Sequence, residues 1–317
     1  MARYLYERIF SALLTMFFIT AIIYTLLSLI QGSTLDVMGG SGAEMSTAEY
    51  EAARHALELD LPVWLRYLHW LRDVLRGDLG TSYRYRISVG EIIAQRFGAS
   101  ALLVGTGVLF AVLLGLPVGV MAAYRPGSVW DRLSSFFALA GFSAPRFITC
   151  IACIYVFSFK LRLAPAMGMH NAGNSSLPDL IRHLMMPSLI IAFGAMGYMI
   201  KQTRGACLEV FQEDYLKTAR AKGLSEAEVI LNHGLRTALA PILTQMMVVI
   251  PEIVGSAAIV EKIFGWPGIG SLMLDAIRNR DVPLIMGVTL VIACIVLIAH
   301  ILLDLAYGLL DPRVRYR

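Results

Sequence analysis

The sequence predicts an all-α polytopic membrane protein with six transmembrane helices. Three observations lead there. First, 57% of the 317 residues are hydrophobic and only 16% are charged, whereas soluble globular domains run at about 45–50% apolar and about 25% charged. Second, the apolar residues fall into six blocks, each near the roughly 20 residues that a helix needs to cross a bilayer core. Third, the blocks lack the period-2 alternation of a membrane barrel, and lipid offers backbone groups no hydrogen-bond partners, so the spans must be helical. A soluble enzyme and a disordered chain are both excluded.

The blocks follow in order. Residues 9–30 form 22 uncharged residues, too long for the apolar region of a signal peptide and followed by no small-residue cleavage site, so this is read as a retained span. Residues 98–124 add 27, and residues 133–159 another 27 broken only by Arg146. Residues 184–200 are the marginal block: 17 residues carrying Pro187, Gly194 and Gly197, which Lys201 and Arg204 can lengthen by snorkelling. Residues 237–260 contain Glu252, and residues 282–303 carry His300 near their end, with Asp304 just beyond. The expected division is an N-terminal tail and first span (1–30), an extracytoplasmic loop (31–97), and a core (98–317) containing a cytoplasmic loop (205–236).

Lysine and arginine in short loops set orientation. With the N-terminus inside, the inner segments hold thirteen, from Arg3 and Arg8 to Arg313, Arg315 and Arg317; the two short outer loops hold six, Lys160, Arg162, Arg182, Lys262, Arg278 and Arg280. Both termini are therefore expected in the cytoplasm, and the net charge of +4 reflects topology rather than nucleic-acid binding.

In the long loop, residues 47–57 read as a short helix. Residues 62–75 read as another, with Trp64, Tyr67, Trp70 and Leu71 on or near one side, ended by Gly77-Asp78-Leu79-Gly80. Aromatics and arginines together suit the membrane interface. Two roles stay open for it: a lid on the membrane domain, or a docking surface for an external partner. On the other side, residues 213–241 are polar and helix-forming. Gly223 can take the left-handed conformation that ends a helix. Ser225 with Glu228 forms a capping box for the next one. Ala219 and Ala221 would let a partner backbone approach, and Glu213, Lys217, Arg220 and Lys222 offer ion pairs at a rim. Cys150 and Cys153 sit inside an apolar block and read as packing rather than redox chemistry. His300 and Asp304, four apart, read as a hydrogen-bonded pair rather than a metal site. The methionines Met185, Met186, Met196, Met199, Met246 and Met247 read as packing.

The polar segment resembles the signature loop of binding-protein-dependent ABC importer permeases, of the dipeptide, oligopeptide and nickel group. The residues that carry the likeness are Glu213-Asp214-Tyr215, Ala219-Arg220-Ala221-Lys222-Gly223-Leu224, His233-Gly234-Leu235-Arg236 and Pro241. Further pieces stand in family order: Asp78-Leu79-Gly80-Thr81-Ser82; Glu261 through Phe264, Trp266-Pro267-Gly268 and Gly270; Arg280-Asp281-Val282-Pro283; Asp304 through Tyr307-Gly308, and Asp311-Pro312-Arg313. The departures are Ala240, where the family usually has a bulky aliphatic residue, and Arg146 and Glu252, where it usually has uncharged ones.

The resemblance implies a type I importer permease fold in the bacterial cytoplasmic membrane, forming half of a translocation path for peptides, with a nickel or metal-chelate importer as the alternative. It implies a second homologous permease, two ABC ATPases and an extracytoplasmic solute-binding protein as partners. No phosphate-binding GxxxxGK[ST] loop occurs in the sequence, so the chain is expected to be no enzyme and to bind no cofactor; ATP and magnesium would sit on the ATPases. Glu213 through Gly223 would be the helix seated in the ATPase. Arg146, 14 residues into the third block, and Glu252, 16 residues into the fifth, are expected at similar membrane depth; an unpaired charge at the bilayer centre costs about 2.5–3.5 kcal/mol, so both should face the protein interior or water. They either pair with each other, line the path, or meet the partner permease.

Overall fold

A computed structural model describes residues 2–29, 51–52, 54–55, 58–174 and 176–310. Most of the expected 47–57 helix, the C-terminal arginines and Asp311-Pro312-Arg313 lie outside these residues. Among the described residues there is no strand, only two isolated antiparallel bridges, Thr81 with Ser88 and Asn171 with Asn174. The helices are α1 (Ala2–Leu29), α2 (Val63–Leu75), α3 (Val89–Tyr124), α4 (Val129–Ser143), α5 (Arg146–Cys153), α6 (Leu177–Phe211), α7 (Asp214–Ala221), α8 (Glu226–Glu228), α9 (Leu235–Ile263), α10 (Ile269–Arg278) and α11 (Val282–Leu310). Four of them, α1, α3, α6 and α11, are long and apolar enough to cross a membrane unbroken; counting two bent pairs as one span each makes six.

The chain divides into two compact units, one of residues 1–98 and 271–297 and the other of residues 99–270 and 298–317. In the first, α2 packs on α1 through Tyr67, which stacks edge-on against Phe17 and Tyr24. The start of α11 is anchored by Asp281, wholly buried, whose carboxylate caps the helix at Leu284 N (3.3 Å). The same carboxylate accepts from Ser82 Oγ (2.5 Å) and from the backbone N–H groups of Tyr83 and Arg84.

In the second unit α6 is central and largely buried, flanked by α4 and α9. Its core gathers Leu103, Ile190, Ile191, Ala195, Ile253, Val260 and Trp266. Three expectations are corrected here. The 184–200 block belongs to a 35-residue helix, Leu177–Phe211, so its span is not marginal. Arg204 does not snorkel: its Nε and Nη2 grip Asp131 of α4 at 2.5 and 2.9 Å. The 133–159 block is not one continuous helix but α4 and α5, bent by 106°. The cause is local: the residue before a proline is pushed out of the helical region, and Ala144, at ψ 122, precedes Pro145. Beyond α5 the chain widens into π-helical turns over Ile154–Lys160.

The fifth span also bends, by 47° between Glu226–Met247 and Val249–Ile263. Pro251 lies inside α9. It has no N–H to give the Met247 carbonyl, and its ring crowds that oxygen. His300 Nε2 lies 2.9 Å from the freed carbonyl. The expected His300–Asp304 pair is thus replaced by a tie from His300 to the kink.

Candidate functional site

The polar loop is built from local rules. α7 spans Asp214–Ala221, with Glu213 as its N-cap residue and Lys222 as its C-cap. Leu216 and Ala219 are its buried side. They pack with Cys207, Val210, Val229, Ala238 and Ile242 in a separate hydrophobic cluster. The other named residues, Glu213, Asp214, Tyr215, Arg220, Ala221, Lys222, Gly223 and Leu224, are exposed. Ala219 therefore seats the helix on its own chain, and Ala221 is the small residue left outward. Gly223 has φ +82 and open space around its Cα. Only its backbone conformation demands glycine, because a Cβ in the left-handed region costs about 1–2 kcal/mol.

The turn is stiffened by charge. Arg220 grips Glu226 through Nε and Nη2, at 3.1 and 3.0 Å, and Lys217 Nζ reaches Asp214 at 2.7 Å. Lys217 holds the Asp214 carboxyl below its usual range, and Glu226 raises the Arg220 guanidinium further. Both halves of the capping box form: Ser225 Oγ accepts from Glu228 N, and the Ser225 N–H donates to Glu228 Oε2. α8 then runs through π-helical turns, Val229–Gly234, into α9. Tyr215 Oη meets Thr237 Oγ1 at 3.0 Å, bracing α7 against the base of α9. The π-helical turns had no sequence signal.

Arg146 and Glu252 come together. Arg146 Nη2 is 3.3 Å from Glu252 Oε1, and Nη1 donates to the Ile190 carbonyl at 3.3 Å. The guanidinium lies across Gly194 of α6, where any Cβ would collide with it. The pair thus joins three features: the α4–α5 break, a glycine on α6, and the Pro251 kink of α9. Arg146 is 14% exposed and Glu252 49%, so the cation is enclosed and the carboxylate opens outward.

Residues 115–316 match the family described as the binding-protein-dependent transport system inner membrane component, and residues 1–104 match its N-terminal companion family. The chain belongs to this family. The permease is 39% identical over 317 residues to a putative peptide permease protein of Brucella suis biovar 1, covering 99% of each. It is 31% identical, end to end, to the dipeptide transport system permease protein DppB of Escherichia coli K12. It is 33% identical, end to end, to the oligopeptide transport system permease protein AppB of Bacillus subtilis. Its fold matches an inward-facing MetNI methionine ABC transporter chain with TM-score 0.55 at 16% identity, covering 69% of this chain and 96% of that one. Family membership makes the protein an inner membrane permease component of a system that works with a binding protein.

In this permease the Asp78–Ser82 and Glu261–Gly270 stretches act as clasps. Ser82 of the first is held by Asp281 of another, 199 residues away. In the Glu261–Gly270 stretch, Ser100 Oγ donates to Glu261 Oε1 (2.6 Å) and accepts from Ile269 N (2.7 Å), while Trp266 Nε1 donates to the Ala99 carbonyl. Sequence reasoning found these stretches only as pieces of a resemblance; the partners Ser100 and Asp131 carried no local signal.

Proposed function

We propose that this permease forms half of a translocation path for di- or oligopeptides, delivered by an extracytoplasmic solute-binding protein and paired with a second, homologous permease. Two ABC ATPases, carrying ATP and magnesium, drive it from the cytoplasmic side, where both termini lie. The chain itself holds no cofactor and has no ATPase site. Glu213, Asp214, Tyr215, Arg220, Ala221, Lys222, Gly223 and Leu224 form the ATPase contact, with Ala219 seating the helix behind them. The observation that carries this is the exposed helix–glycine–helix turn, rigidly seated by Leu216 and Ala219 and braced by Arg220–Glu226. Such a device can transmit a push, because its base packs against α6 and α9. The peptide assignment is supported by relatives that are named as peptide, dipeptide and oligopeptide permeases.

Arg146 and Glu252 are proposed to border the path as a latch. The enclosed guanidinium ties α5 to α9, and the outward half of Glu252 faces the substrate. When the ATPases close, a rigid-body shift of the helices would reach this pair through the two bends that it joins. Gly223→Val tests the coupling role. The variant is expected to insert and assemble normally, with peptide uptake and peptide-stimulated ATP hydrolysis both lost. Normal uptake would refute the coupling role. Uptake of labelled nickel rather than labelled dipeptide by the unmodified complex would refute the substrate and leave the coupling intact.

A further inference from the structure

One surface has no place in this reading. α2 buries Tyr67 against α1, yet Trp64, Leu68 and Leu75 stand exposed along one stripe, at 64%, 45% and 81%. The spacings of four and seven residues put the three on one helix face, and exposed Arg72 lies on that face between Leu68 and Leu75. Exposed Arg76 follows the helix end.

The depth of α2 is set by what it touches. Tyr67 Oη meets Thr20 Oγ1 at 3.0 Å and the Phe17 carbonyl at 3.2 Å. Tyr24 packs on Tyr67 and Trp70, with the Arg66 guanidinium over its ring at 5.8 Å. Thr20 and Tyr24 lie well inside the membrane-spanning part of α1, Tyr6–Leu29. At 1.5 Å per residue, Thr20 is about 13 Å below the end of that helix. A tyrosine side chain does not span such a distance, so α2 is not perched above the apolar segment. It lies beside the segment's C-terminal half, where bare α1 side chains such as Ile22 and Leu26 are themselves exposed.

We propose that the Trp64–Leu68–Leu75 face of α2 is bedded in the bilayer as an in-plane lipid anchor, in the leaflet next to the C-terminal end of α1. Tryptophan favours the headgroup level. Arg72 and Arg76 reach lipid phosphates, and the aliphatic side chains enter the acyl region. The anchor fixes the long loop to the membrane at the point where α1 ends. It rests on the membrane reading of α1, but not on which side that end faces.

The test uses the full chain in nanodiscs made with phospholipid brominated either near the headgroup or deep in the acyl chain, present in both leaflets. The Trp64 component is isolated as native minus Trp64→Phe emission. We expect it to be blue-shifted and quenched, more strongly by shallow bromines than by deep ones. Leu75→Trp in the Trp64→Phe background should add a component that is also quenched. A Trp64 component untouched by either lipid, but quenched by aqueous acrylamide, overturns the proposal. So does protection from acrylamide that arises only when the solute-binding protein is added, which would make the face a docking surface. Failure of peptide uptake assays has no bearing on either readout.

Discussion

Removing one partner of the Arg146–Glu252 pair should not cost the same as removing the other. Glu252→Gln leaves an arginine that is 14% exposed, holding only the Ile190 carbonyl and a neutral amide. Stripping the counter-charge from a buried ion costs about 3–5 kcal/mol. Because Glu252 is half exposed, water reaches the site, and the low end, about 3 kcal/mol, is expected. Arg146→Met leaves a carboxylate that can hydrate through its open side, so about 1–2 kcal/mol is expected, within the range for one unsatisfied polar group. The double change removes both charges and should cost less than the sum, with a coupling energy of about 2 kcal/mol. The assay is SDS-titrated unfolding of the full chain in mixed micelles, with assembly into the complex checked in parallel. If the double change equals the sum to within about 0.5 kcal/mol, the pair is not a latch. If Arg146→Met is the costlier change, the burial argument is wrong.

Ser225→Ala removes the hydroxyl from the capping box and should cost about 1 kcal/mol, read as faster hydrogen exchange in residues 226–229 with the α7 amides little changed. Asp281→Ala leaves Ser82 Oγ and three backbone N–H groups without their acceptor. A loss of about 3 kcal/mol or more follows, and limited proteolysis should cut the 82–88 turn while the rest of the chain stays protected. His300→Ala orphans the Met247 carbonyl at the kink, at a cost of about 1–3 kcal/mol. Pro251→Ala returns an N–H to that carbonyl, so His300→Ala combined with Pro251→Ala should melt at a higher temperature than His300→Ala alone.

The polar loop was legible because its rules act within a turn or two. Ser225 and Glu228 are three residues apart, and Gly223 needs only its own φ. The face of α7 was misread: composition marked Ala219 as small but could not say that it points at Val229 and Ala238 rather than outward. The Pro145 break had a local signal, a proline inside an apolar block, that hydropathy alone passed over. His300 was misassigned because an i+4 neighbour is visible in sequence, whereas a carbonyl freed by Pro251, 49 positions earlier, is not.

By itself, then, the sequence determined that this chain crosses a membrane, where its apolar blocks lie, and how its polar loop is capped. Each of these depends on the solvent preference of a block or on bonds between near neighbours. Only the tertiary structure decided which charges and polar groups meet: Arg146 with Glu252 across 106 residues, Asp131 with Arg204 across 73, and Ser82 with Asp281 across 199. In low dielectric a charge must find its partner wherever the backbone brings one. That path is set by bends at Pro145 and Pro251 and by the close approach at Gly194, which no spacing along the chain encodes.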